Sequence, residues 1–434
     1  MSCNVCVISY VLAADTPESC GRSFVFAFPA SHPNVAHNTY VLITTMSTEP
    51  VTVTVAAAGI GFYSTSQITR DRLANVTIPS NIIIPRDDTR ANKSIIVNAD
   101  HNVCVYGVCT SGSTADGFTV LPTSVMSTRY VLASYQPLIN YRHPAEFVVT
   151  ALAEETQISM TFNHGGHEPV TKILQPYECY QYIDYTHDLT GTLVTSNKPV
   201  SVMSGNECAN IPYSTGKCEF LMAHMSGTEE AGRFFVLAPF LGRTSGFIYR
   251  VIALHNNTLV NISSLASGPI ELSEFAVYEG DVTTVADLTV ISSNQNVIVV
   301  QYAKGLYSDY KTGDPFMLII PPTNFFSNNI TFPVTSIPSN AVPQNAYMNV
   351  IVRCEDNLDI AWNGDIVDEW VDRLNDGGEF CVLRRRLGVG VHSVGHRSKS
   401  ATFVVVVYGF VWRASYGYVA GFNLHDIRPT TPGK

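Results

Sequence analysis

From about residue 20 to residue 424 the chain is built of short apolar or alternating runs. Clusters of Gly, Pro, Asn, Ser and Asp separate them. Val51-Thr52-Val53-Thr54-Val55 alternates strictly, placing valines on one face and threonines on the other, the two-residue period of a half-buried strand. The runs are rich in Val, Ile, Thr, Tyr and Phe, side chains that fit a pleated surface. One stretch breaks the pattern. Ile366, Trp370 and Leu374 fall at helical spacing among acidic residues, which predicts a helix with a solvated acidic face.

The runs recur in a fixed order. An aromatic-led strand begins at Phe24-Val25-Phe26, returns at Tyr130-Val131-Leu132 and Phe234-Phe235-Val236, and has a weaker copy at Ile330-Thr331-Phe332. A second strand follows each, at Tyr40–Ile43, Phe147–Val149, Tyr249–Ile252 and Met348–Val352. A third turns back at Val51–Val55, Gln157–Thr161, Leu259–Ile262 and Leu358–Trp362. The late strand is the clearest: Asn102–Gly107, Pro199–Gly205, Asn296–Tyr302 and Thr402–Gly409. The period is roughly one hundred residues, the size of a small domain. The fold class expected is all-β: four tandem β-sandwich-like repeats, near 22–127, 128–231, 232–328 and 329–424, packed into one rigid assembly. A β-propeller with two blades per repeat is the alternative.

Composition narrows the function classes. Of 434 residues, 46% are hydrophobic and 14% charged, with a formal net charge of −10. That balance opposes disorder and the basic footprint of a nucleic-acid binder. The one dense basic run, Arg384-Arg385-Arg386, reads as part of an exposed strand. The longest apolar runs, such as Phe403–Trp412, are too short for a spanning helix and read as buried strands. Residues 1–14 read as a weak signal peptide, or as the start of a gene product cut from a longer chain. Residues 425–434 read as a tail or linker.

Ten cysteines are present. Loss of Cys3 and Cys6 with a signal peptide leaves an even eight, which suits an oxidising compartment. Cys354 and Cys381 form a candidate pair within the fourth repeat. The partners of Cys20, Cys104, Cys109 and Cys179 stay open, and mid-strand Cys104 reads as a small buried hydrophobe. Sequons at Asn75, Asn92, Asn256, Asn261 and Asn329 are glycosylation candidates.

The run Pro199-Val200-Ser201-Val202-Met203-Ser204-Gly205-Asn206-Glu207-Cys208-Ala209-Asn210-Ile211-Pro212, closed by Cys218, resembles the IgGFc-binding protein N-terminal domain family. Gly21-Arg22-Ser23-Phe24-Val25-Phe26 is similar to that family's start, and Ser415–Gly421 to its end, so residues 20–424 are covered. The resemblance implies a Cys208–Cys218 loop, which a disulfide would stabilise by roughly 2–3 kcal/mol. It also implies a secreted or surface module with extracellular glycoprotein, mucin or matrix partners. Fc binding is not carried over. Glu219-Phe220 and the absence of a Trp before Gly232-Arg233-Phe234 depart from the family pattern.

Candidate chemistry is sparse. His164-Gly165-Gly166-His167-Glu168 lacks the H-E-x-x-H spacing and falls where a hairpin turn is expected. Asp365, Asp368, Glu369, Asp372 and Asp376 lack calcium-loop spacing. Gly313-Asp314-Pro315 is followed by Phe316 where the self-cleaving sequence of the von Willebrand D domains that accompany the family has His, so no cleavage is expected. Neither a nucleophile elbow nor a phosphate loop is present, so no catalytic residue, cofactor or metal ligand is assigned. Tyr182, Tyr185, Tyr307, Tyr310, Tyr416 and Tyr418 are the candidate contact residues, tyrosine being enriched at interfaces. The expected function is a non-enzymatic adhesion, mucus- or matrix-associated binding module. An extracellular hydrolase using His164 or His167, or a structural spacer, is the alternative.

Overall fold

The computed structural model describes residues 16–424, apart from 32–36, 112–113, 166–167, 214–216, 337–344, 368–369, 371, 376–377 and 412. The leader and tail expectations, together with His167, Asp368, Glu369 and Asp376, lie outside the described residues. The fold is all-β, with short 3-10 turns between strands. Among the described residues no helix is long and apolar enough to cross a membrane.

One pairing scheme occurs four times. In the first set a strand of 16 residues, Ile95–Thr110, runs through a sheet of seven strands and takes different partners along its two halves. Its first half pairs with Gly21–Phe26 and Val51–Ala57, its second half with Asn38–Thr44 and Ala115–Val120. Thr289–Ala303 repeats this in the third set, first with Gly232–Leu237 and Thr258–Ile262, then with Phe247–Ala253 and Met317–Ile320. In the second set the long strand is cut into Leu193–Ser196 and Val200–Ala209. Pro199 lies at the cut, where it has no N–H to extend a ladder. The fourth set is cut between Gly390–His396 and Phe403–Val411. The partners keep their order in both. Each sheet thus draws strands from early and late parts of its set. A propeller blade uses consecutive strands, so these are sandwiches.

Two glycines mark the same joint in different sets. A Cβ on Gly21 would sit 2.6 Å from the Pro122 ring, and one on Gly232 only 2.3 Å from that of Pro322. Each proline precedes a one-turn 3-10 helix, Thr123–Val125 or Thr323–Phe325. Only glycine lets the first strand lie this close to that turn.

The sets close into a ring. The core of the first takes in Val148, Met203, Phe220 and Met222 of the second. The core of the second takes in Ile248, Ile252 and Val300 of the third, whose own core takes in Ile351, Val382 and Val404 of the fourth. The core of the fourth takes in Leu42, Tyr106 and Val108 of the first. At the centre, Ala115–Val120 and Met317–Ile320 each touch both Glu219–His224 and Ala414–Ala420. The two ends of the described chain meet, since Leu424 donates its N–H to the Glu18 carboxylate at 2.7 Å.

Three expectations are corrected. The stretch from Ile366 to Leu374 is not a helix: Asp365–Ile366 pairs with Ile360–Trp362, and Asp372–Asn375 with Phe380–Leu387. The reason is the turn Asn363-Gly364, with φ of 52° and 94°, the two left-handed positions of a tight hairpin. The arginine run is only partly an exposed strand face. Arg384 is buried, Arg385 is half-buried and lies 4.1 Å over the Trp362 ring, and exposed Arg386 lies 5.8 Å over Tyr347. Cys104 is no free hydrophobe, since it is bonded to Cys20.

Candidate binding surface

The strand Val200–Ala209 is buried along its whole length and carries polar groups inward. The Asn206 amide clamps the backbone of Tyr135, donating to its carbonyl at 2.8 Å and accepting from its N–H at 2.6 Å. Glu207, 0% exposed, pairs with Arg86 and lies 2.5 Å from His143 Nδ1. A buried carboxylate is tolerated only when so partnered. Beside it, burial pushes the Glu146 carboxyl well above its usual range, and the Glu207 charge adds to this. The next residue, Cys208, is joined to Cys218. Glu207 therefore seats the base of the disulfide loop against the loops carrying Arg86 and His143.

On its other side the disulfide loop is tied to the third set. Gly305 donates its N–H to the Ile211 carbonyl at 2.7 Å. The following turn is held by Arg243, whose guanidinium reaches both Asp309 oxygens at 2.9 Å and the carbonyls of Lys304 at 2.7 Å and Gly305 at 3.0 Å. Burial alone would raise the Asp309 carboxyl, but Arg243 and backbone N–H groups hold it at about 2.

These anchored loops carry aromatic side chains outward. Tyr310 is 81% exposed and Tyr141 73%, and Tyr213, Tyr307 and Ile139 are also exposed. The Tyr307 and Tyr310 rings meet edge to face, with centroids 6.2 Å apart. Tyr185 is half-buried, with Arg86 and Arg142 5.4 and 5.5 Å from its ring. The result is a chain of rigidly based loops presenting tyrosine and arginine, side chains that dominate protein interfaces.

Of the tyrosines singled out in the sequence, Tyr307 and Tyr310 are exposed. Tyr182 packs on Phe147 and Phe162, while Tyr416 and Tyr418 are buried in the core and cannot make outside contacts. Tyr141 and Tyr213 were missed. Tyr213 had a signal in its place between the two loop cysteines, whereas Tyr141 had none. Cys354 is joined to Cys381, and Cys109 and Cys179 are buried free thiols. Asn75, Asn92, Asn256 and Asn261 are exposed. Asn329, by contrast, is 7% exposed. His164 lies between the paired strands Thr156–Thr161 and Val170–Leu174, beside Asp184 and His187.

The IgGFc binding protein family profile matches residues 116–409. The human protein named IgGFc-binding protein is 24% identical over 237 residues, 52% of this chain and 4% of that protein's length. A solved structure described as a tetra-tandem repeat in the extending region of a large adhesion protein is 12% identical. It covers 93% of this chain and 99% of its own, but its TM-score of 0.11 supports no structural argument. On the match to more than half of its length, the chain belongs to the IgGFc binding protein family.

Proposed function

We propose that this chain is a secreted or cell-surface, non-enzymatic binding module that contacts proteins or glycans in an adhesion, mucus or matrix setting. The carrying observation is the chain of loops bearing Tyr141, Tyr213, Tyr307 and Tyr310, fixed at its base by Cys208–Cys218, Glu207 and Arg243. Aromatic groups on a pre-ordered base lose little entropy on binding. Three disulfides support an oxidising compartment, and exposed Asn75, Asn92, Asn256 and Asn261 are proposed to carry glycans. Family membership supports a protein partner. The related human protein's name gives the Fc region as one ligand to include.

The test measures binding of the intact chain to immobilised mucins, matrix glycoproteins and IgG Fc. The loops' role predicts that Tyr213→Ala with Tyr310→Ala weakens mucin or matrix binding at least tenfold, since interface tyrosines each commonly contribute about 1–2 kcal/mol or more. Equal binding by the double variant, or binding to Fc alone, overturns the proposal.

A further inference from the structure

Away from those exposed tyrosines, the structure brings together three metal-ligating side chains that are distant in the sequence. His164 follows the strand Thr156–Thr161, and Asp184 ends the strand Cys179–Asp184. His187 comes one turn later. The two imidazoles stack face to face, centroids 4.0 Å apart and planes within 11°. Asp184 Oδ2 lies 3.4 Å from His164 Nε2 and 3.1 Å from His187 Nδ1. One donor atom from each residue falls within 4.8 Å of the others.

The carboxylate is prepared for this role. Its other oxygen, Oδ1, accepts from Thr186 N–H at 2.7 Å, Thr186 Oγ1 at 2.8 Å and His187 N–H at 2.9 Å. Three donors fix the group and leave Oδ2 turned to the imidazoles, the outer-shell support that ligating carboxylates require. On one side the Phe162 ring packs 5.4 Å from His164 and 4.7 Å from Tyr182, forming an apolar wall. On the other, the His187 side chain is 47% exposed, so the site is open to solvent.

We propose that His164, Asp184 and His187 bind a divalent transition-metal ion of the zinc class, with a solvent-facing position left for water or a partner's donor atom. Two nitrogens and one oxygen are the donor set that borderline ions such as Zn²⁺ and Co²⁺ take, whereas calcium and magnesium favour oxygen alone. A bound ion would replace hydrogen bonds between the ligands with coordinate bonds. It would also lock the turn after Asp184, whose next residue, Tyr185, is stacked with Arg86 and Arg142.

The experiment uses the full, disulfide-bonded chain after chelation, titrated with ZnCl₂ by calorimetry and with CoCl₂ by visible absorption. One ion per chain is expected, with a Co²⁺ spectrum showing nitrogen ligation. His187→Gln alters an exposed side chain and spares the core, and with His164→Gln it should weaken binding at least tenfold. His101→Gln, at the exposed pair with Asp100, should leave binding unchanged. No binding by the wild-type chain, or equal binding by the His187→Gln chain, overturns the proposal.

Discussion

Ser19 and Phe422 are 403 positions apart and exchange two hydrogen bonds. Ser19 N–H donates to the Phe422 carbonyl at 3.0 Å, and Phe422 N–H donates to Ser19 Oγ at 3.0 Å. The adjacent Cys20 is bonded to Cys104, which tethers this closing segment to the long strand of the first set. Replacing both cysteines by serine frees a loop spanning 84 positions. The expected loss is about 2–4 kcal/mol in chemical denaturation, with hydrogen exchange rising first around residues 19–24 and 420–424.

Asp314 sits near the ring's centre, 1% exposed, and accepts no neighbouring cation in a direct ion pair among the described residues. Burial pushes its carboxyl from 3.8 up to about 6. A raised folded value means that its favourable contribution is complete below pH 3.8 and is lost as the pH rises through 6. Asp314→Asn, which stays neutral, should remove that loss. Urea unfolding is expected to show the variant about 2–3 kcal/mol more stable relative to wild type at pH 7 than at pH 4.

His224 acts in the opposite direction. Its Nδ1 accepts the Leu121 N–H at 3.1 Å, so Nε2 carries the proton that faces Ser201 Oγ at 3.1 Å. Burial lowers its pKa from 6.5 to about 3. The stabilising contribution of the neutral ring is therefore present above pH 6.5 and lost as the pH falls towards 3. In His224→Gln the slope of stability against pH between 6.5 and 4 should flatten, whatever the variant's stability at pH 7.

The Arg243–Asp309 pair has side chains only 1% and 3% exposed. Asp309→Ala leaves a buried guanidinium without its carboxylate, a change that costs about 3–5 kcal/mol. Denaturation should register that loss, and exchange at Tyr307 and Tyr310 should rise. Arg243→Met with Asp309→Leu should recover part of the stability, because an apolar pair removes the stranded charge.

The strands were legible because each half-buried run carries its own period. Asn102–Gly107 falls inside the long strand Ile95–Thr110, and Thr402–Gly409 overlaps the strand Phe403–Val411 in all but its first residue. Ring closure was not legible, since a contact between Ser19 and Phe422 leaves no local pattern. The proposed cluster at His164 was half legible: His164 stood out in the sequence, but Asp184 and His187 reach it from a different strand. Ile366, Trp370 and Leu374 imitated a helical stripe, while Asn363-Gly364 just before them carried the stronger signal of a hairpin. Buried Arg384 shows how a charged run in a strand divides between faces, since its Arg385 neighbour stacks on Trp362 from the other side.

The meeting of Ser19 with Phe422 has a mechanical consequence. Tension transmitted along a longer polypeptide would enter and leave this ring at a single point. The load would fall on the few hydrogen bonds between the two ends, while the four sandwiches remained outside the line of force. A protein strung with such rings could lengthen slightly at each junction and keep the tyrosine-bearing loops in shape.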